Sequence, residues 1–178
     1  KRNQSPPPNL PPQGGGISGN PDASIEEFFR LRTRRRIIIK MKAKVKYIDG
    51  LQFVGETDSG HAVIMDSTPD VGGNNTGPRP MELLLLGIGG CSGMDVVSIL
   101  KKKKENVKDI EININGIKEE EHPKKFRDIN IEFIVKGIDL SDNAVRKAVE
   151  LSMTKYCSVK ATLEGSATIT YTYKTVEA

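Results

Sequence analysis

Strict alternation of apolar and charged positions begins at Met41. Met41, Ala43, Val45 and Tyr47 alternate with Lys42, Lys44 and Lys46. A period of two sends successive side chains to opposite faces, so this segment is expected to be a half-buried strand. Asp49-Gly50 supplies a turn, Leu51–Glu56 a hairpin partner, Asp58-Ser59-Gly60 a second turn, and His61–Asp66 a third strand. Residues 67–78, rich in Pro, Gly, Asn and Thr, read as a loop. The pattern then turns almost continuously apolar, and a central helix is expected from about Pro80 to Lys104. Pro80 suits its first turn, and Lys101–Lys104 complement the macrodipole at its last. At ~1.5 Å per residue such a helix is ~37 Å long, about as long as a compact body of this size is wide. The four consecutive leucines, Leu83–Leu86, cannot share one helix face. A helix apolar on every side is expected to be enclosed on every side. One small sheet cannot do that, whereas a homodimer supplying a second sheet and helix can.

Beyond the helix, Ile110, Ile112 and Ile114 alternate with polar residues within Val107–Lys118, and Ile129, Ile131, Phe133 and Val135 do so within Asp128–Val135. Both are expected strands, joined by the charged connection Glu119–Arg127. Ser141–Tyr156 reads as a helix, with Ala144, Val145, Ala148, Val149 and Met153 on one stripe and Cys157 at its end. Ala167–Tyr173 alternates again and closes the chain as a strand. The order β-β-β-α-β-β-α-β defines an α+β domain.

Composition changes this picture mainly at the N-terminus. Residues 1–22 hold six of the ten prolines and four glycines and read as a disordered tail or linker. Residues 24–36 could form a short basic helix capped by Ser24, with Glu27 completing a capping box. The first forty residues carry a net charge of +5 and the remainder −1. The basic character therefore says nothing about partners of the patterned region, and no motif surrounds the basic cluster to make nucleic acid the expected ligand. Two segments follow: 1–40, an extension that could derive from an expression vector, and 41–178, the folded domain. The longest apolar run, Leu83–Ile88, is far below the ~20 residues of a membrane span. With no secretory pattern either, a soluble cytoplasmic protein is the default expectation.

The chemistry centres on two cysteines, Cys91 and Cys157, 66 positions apart. No Cys-x-x-Cys is present, so the spacing presents no metal-ligand pattern and no cofactor is implied. Cys91 lies in the most hydrophobic stretch, behind Gly87, Gly89 and Gly90 and ahead of Gly93. Each glycine costs a helix roughly 1 kcal/mol relative to alanine. Such a concentration suggests close packing of another helix, or room for a small substrate. The glycines could also interrupt the helix at Gly89-Gly90, leaving Cys91 at a new N-terminus where the dipole favours thiolate. Asp95 follows one turn later on the same face, and an unpaired carboxylate there would raise a thiol pKa. It therefore calls for a cation or hydrogen-bond donors. Arg79, between Pro78 and Pro80, is the most suggestive local cation, and a salt bridge to Glu82 is its alternative role.

These features resemble the osmotically inducible protein C / organic hydroperoxide resistance (OsmC/Ohr) family over essentially all of residues 41–178. The resemblance rests on Pro80-Met81-Glu82-Leu83 entering the helix, Gly89-Gly90-Cys91, Tyr156-Cys157-Ser158-Val159 after a second helix, and the strand order. Gly77-Pro78-Arg79-Pro80-Met81-Glu82-Leu83-Leu84, with Met94-Asp95-Val96-Val97 after the cysteine, resembles the YhfA-type branch. The resemblance implies an intertwined homodimer, with antiparallel sheets wrapped around long central helices and active sites at the subunit interface. It also implies a thiol-dependent peroxidase acting on organic hydroperoxides. Cys91 would attack the peroxide and become sulfenic acid, Cys157 would resolve it to a disulfide, and an external dithiol such as a lipoylated protein would restore both. The peroxidase branches carry a glutamate ten residues before the first cysteine; here that position is Met81, and Glu82 is one step later. They also carry an activating arginine in the N-terminal strand region, and residues 41–66 contain none. Arg79, Glu82 and Asp95 are thus the residues expected to assist Cys91 and Cys157. Two other classes fit the same residues: a non-enzymatic dimer whose interface holds a small apolar ligand, and a thiol redox sensor.

Overall fold

The computed structural model describes residues 40–178. The expected N-terminal tail and the basic helix at 24–36 lie outside the described residues. Three strands come first, β1 (Ala43–Asp49), β2 (Gln52–Thr57) and β3 (Ala62–Met65). They form an antiparallel meander in the order β1-β2-β3. Gly50 and Gly60 close its two turns at φ of 52° and 79°, left-handed values that favour glycine.

The loop that follows contains a single 3-10 turn, Pro69–Val71, and is pinned by one carboxylate. Asp66 is 2% exposed. It accepts from the backbone N–H groups of Ser67, Asn74 and Thr76 and from the Thr76 hydroxyl, at 2.7–3.1 Å. These donors hold its carboxyl at about 2, well below the usual 3.8.

Helix α1 (Pro80–Lys102) leads into β4 (Asn106–Lys118) and β5 (Phe126–Ile138). Helix α2 (Asp142–Leu151) follows, with Ser141 capping it through the Ala144 N–H at 3.3 Å. A π-helical turn (Ser152–Tyr156), a short α3 (Ser158–Leu163) and β6 (Thr168–Glu177) complete the chain. The second sheet has the order β4-β5-β6. The β4–β5 pairing is antiparallel and β5–β6 parallel, because α2 and α3 form a crossover that returns the chain to the starting end of β5.

One layer of helices covers one face of this second sheet. Ile129, Ile131, Phe133 and Val135 of β5 are buried with Ile88, Val96, Ile99 and Leu100 of α1 and Val145, Ala148 and Val149 of α2. Each of the Val, Leu, Ile and Phe side chains among them contributes roughly 1.5–3 kcal/mol on burial. The α+β class and strand order are those expected; two expectations about burial are not met within one chain. Every residue of β1 is exposed, and among the described residues its apolar side meets only its sheet neighbour, with Tyr47 edge-on to Phe53. Nor is α1 enclosed all round. Leu86 and Met94 are 64% and 75% exposed, whereas the opposite side rests on β4 and α2. By length and composition alone α1 could cross a membrane, although its longest unbroken apolar run is short. On one side Ile88, Val96 and Leu100 are fully buried against sheet and helices.

Candidate active site

Cys91 and Asp95 stand one turn apart on α1, which runs unbroken from Pro80 to Lys102. The expected interruption at Gly89-Gly90 is therefore absent, and no helix N-terminus faces Cys91. Two of the glycines have a different use. A Cβ at Gly89 would come within 2.6 Å of Ile114 Cδ1, and one at Gly93 within 2.7 Å of Ile112 Cδ1. These two let α1 lie close on strand β4, whereas a Cβ at Gly90 would meet open space and one at Gly87 only Val159.

The second thiol arrives by a less regular route. The sequence pattern predicts one helix through Tyr156, but α2 ends at Leu151 and widens into the π turn Ser152–Tyr156. The Cys157 N–H closes that turn on the Ser152 carbonyl at 2.9 Å. Such turns are rare and frequent at functional sites. The backbone then becomes extended at Cys157, which opens α3. Its thiol lies against α1, 4.0 Å from the Ile88 carbonyl, and accepts from the Lys160 N–H at 3.4 Å.

Two segments 66 positions apart in sequence thus meet. The sulfurs of Cys91 and Cys157 and a carboxylate oxygen of Asp95 all lie within 4.8 Å of one another. Both cysteines are free thiols; Cys91 is half-buried and Cys157 is buried. The fold thus brings together donors that the linear sequence keeps apart.

Ser152 is a site residue that sequence reasoning missed. Its fully buried hydroxyl lies 3.2 Å from Asp95 Oδ2 and 3.2 Å from the Ser92 carbonyl, so its one proton is shared between them. The only linear signal was a small polar residue beside Met153 on an otherwise apolar helix stripe. That position cannot be told from a solvated serine without the π turn.

Burial raises the Asp95 carboxyl above its ordinary value, and the Ser152 hydrogen bond only partly offsets it. Burial likewise pushes the Cys157 thiol up to about 11, with Cys91 and Asp95 adding to the shift and the Lys160 N–H opposing it. Cys157 is therefore held as a neutral thiol beside a carboxylate able to take a proton.

Arg79 and Glu82 are elsewhere. The Arg79 guanidinium pairs with Glu82 at 3.1 Å and donates to Asn75 at 3.1 Å. The Glu82 carboxylate also accepts from the Arg79 N–H at 2.9 Å. They cap the start of α1. At ~1.5 Å per residue, Arg79 lies about 18 Å and Glu82 about 13 Å along the helix from Cys91 of the same chain.

A three-stranded meander joined by one long half-buried helix to a mixed sheet, with a thiol in that helix facing a second at a helix junction, defines a class of small two-cysteine α+β proteins. The OsmC-like protein family profile matches residues 72–172, and the chain belongs to that family. Protein YhfA of Escherichia coli (strain K12) is 46% identical over 138 residues, covering 78% of this chain and all of that protein. A hypothetical protein from Aquifex aeolicus VF5 has a crystal structure that is 35% identical, with a TM-score of 0.66 over 78% of this chain and 98% of that one. The organic hydroperoxide resistance protein OhrB of Bacillus subtilis shares the fold at 18% identity, with a TM-score of 0.53 over 77% of this chain and 99% of that one. The likeness to OhrB is one of fold.

Proposed function

We propose that this protein is a thiol-dependent peroxidase that reduces organic hydroperoxides, with Cys91 attacking and Cys157 resolving. The observation that carries the reading is the approach of the two free sulfurs to within 4.8 Å, beside a carboxylate, in a largely apolar setting. Cys91 is the more exposed thiol, whereas Cys157 is buried and held protonated. That asymmetry favours Cys91 as the group that meets the substrate.

The Cys91 thiolate attacks the peroxide oxygen distal to the organic group. The S–O bond forms as the O–O bond breaks, and the alkoxide leaves as an alcohol with a proton from solvent or Asp95. Cys91 is oxidised to sulfenic acid and the hydroperoxide is reduced. The Cys157 thiol then gives its proton to Asp95 and attacks the Cys91 sulfur. The displaced hydroxyl takes a proton and departs as water, leaving a Cys91–Cys157 disulfide. An external dithiol, such as a lipoylated protein, reduces it by exchange. Ser152 acts as a positioning residue that aims the Asp95 carboxylate.

A homodimer fits the same reading. The uncovered apolar side of β1–β3 (Val45, Tyr47, Phe53) and the exposed Leu86 and Met94 of α1 are surfaces that a second copy would bury. Arg79 and Glu82 enter the chemistry only through such a dimer, in which the start of one α1 can lie beside the middle of the other. Two reduced thiols poised for exchange suit the cytoplasm.

The test is consumption of cumene hydroperoxide with dihydrolipoamide as reductant, comparing wild type with Cys91→Ser. Wild type turns over and the variant does not. Equal rates would remove the enzyme reading and favour a dimer that binds a small apolar ligand.

A further inference from the structure

We propose that the reduced Cys91–Asp95–Cys157 cluster is a binding site for a thiophilic divalent cation of the zinc type, and that occupancy holds the two thiols out of redox chemistry. Two sulfurs and one carboxylate oxygen converge within 4.8 Å. In a tetrahedral zinc site with Zn–S near 2.3 Å, neighbouring sulfurs stand about 3.8 Å apart. The donors therefore need only small rotamer adjustments to share one ion.

The donor set is borderline-soft and anionic, as zinc prefers. Two of its members sit one helical turn apart on α1, a spacing that directs both at one point. The third is fixed from a separate element. The outer groups needed to hold such ligands are also in place. Ser152 donates to Asp95 Oδ2 at 3.2 Å, and the Lys160 N–H donates to Cys157 Sγ at 3.4 Å. Cys91 is half-buried, which leaves one side open for entry and for a water as fourth ligand.

On binding, two Zn–S bonds and one Zn–O bond form. The two thiol protons leave to solvent, and no electrons are transferred. At Cys157 the ion takes the place of the thiol proton. Because the lone pairs that bind the metal are those that would attack peroxide, metal and oxidant compete. This consequence rests on the peroxidase reading, whereas metal binding itself does not.

The experiment titrates the reduced, metal-free full chain with Zn²⁺ against a chromophoric chelator, and with Co²⁺ as an optical probe. One ion per chain is expected, with a sulfur-to-cobalt charge-transfer band. Cys91→Ser and Cys157→Ser should each weaken that band and, like Asp95→Asn, lower zinc affinity about tenfold or more. Far-ultraviolet circular dichroism checks that each variant is folded. Absence of stoichiometric binding, or affinity and spectrum unchanged in both cysteine variants, overturns the site. A parallel assay separates the two readings. If the metal-free chain consumes cumene hydroperoxide, one equivalent of Zn²⁺ should abolish turnover and a chelator restore it; full turnover with zinc bound overturns the proposed competition. If the metal-free chain is inert yet binds zinc through both thiols, the site stands and the peroxidase reading falls.

Discussion

Cys157 should be by far the slower of the two thiols toward an alkylating reagent near neutral pH. It is 3% exposed, and burial, with Cys91 and Asp95 alongside, lifts it from an ordinary 9.0 to about 11. Only the thiolate attacks iodoacetamide. At pH 7 a thiol titrating near 11 is ionised to ~10⁻⁴, about a hundredfold less than the same Cys157 thiol would be at its ordinary 9.0. Ionisation alone therefore slows Cys157 about a hundredfold, and burial beneath α1 slows it further. The assay is timed alkylation of the reduced protein with peptide mapping by mass spectrometry, repeated at rising pH. At pH 7 the adduct should accumulate first on Cys91, and the discrimination should shrink as pH approaches 11. Adduct appearing on Cys157 first, or at the same rate at pH 7, would refute both the electrostatic argument and the assignment of attacker and resolver.

Three further outcomes are expected. Asp66→Asn should destabilise the chain at neutral pH, since it removes the carboxylate on which four donors of the 67–76 loop converge. Because the folded value is depressed to about 2 from 3.8, the stabilisation is present above 3.8 and lost as pH falls through about 2. Urea midpoints of wild type and variant should accordingly converge on acidification, and a constant gap would show that the charge is not responsible. Gly116→Ala should cost ~1–3 kcal/mol in urea unfolding, because the added Cβ would stand 2.5 Å from the Phe126 ring and 3.1 Å from Leu85; an unchanged midpoint would mean that the ring relaxes freely. Leu86→Glu combined with Met94→Glu should shift the protein from dimer to monomer in sedimentation, because both side chains are largely exposed in the single chain. A wild type that sediments as a monomer would remove the dimer.

The legible parts of this molecule were those written in short periods. Alternation at Ala43–Tyr47, Ile110–Ile114 and Ile129–Val135 marked strands that are present. The stripe Ala144, Val145, Ala148 and Val149 marked a helix whose buried side is that stripe. What escaped was set by tertiary contact. A glycine pair breaks a helix on local propensity, yet α1 continues through Gly89 and Gly90, with Gly89 and Gly93 seating it closely on Ile114 and Ile112 of β4. The π turn at Ser152 has no periodic signature, so neither the placement of Cys157 nor the Ser152–Asp95 contact could be read beforehand. Amphipathic β1 predicted a buried face, but among the described residues nothing covers it. The two cysteines and Asp95 were legible as reactive types on suitable elements. Their convergence was not, because it depends on where the crossover after β5 sets down its second helix.

If Cys91 and Cys157 act together on a hydroperoxide, one equivalent of cumene hydroperoxide added to the reduced protein should remove two hydrogens per chain by intact mass, with the disulfide mapped to Cys91–Cys157. In the Cys157→Ser variant the same treatment should add a single oxygen to Cys91. An unchanged mass, or a gain of two or three oxygens on Cys91 with Cys157 left as a thiol, would contradict that joint action.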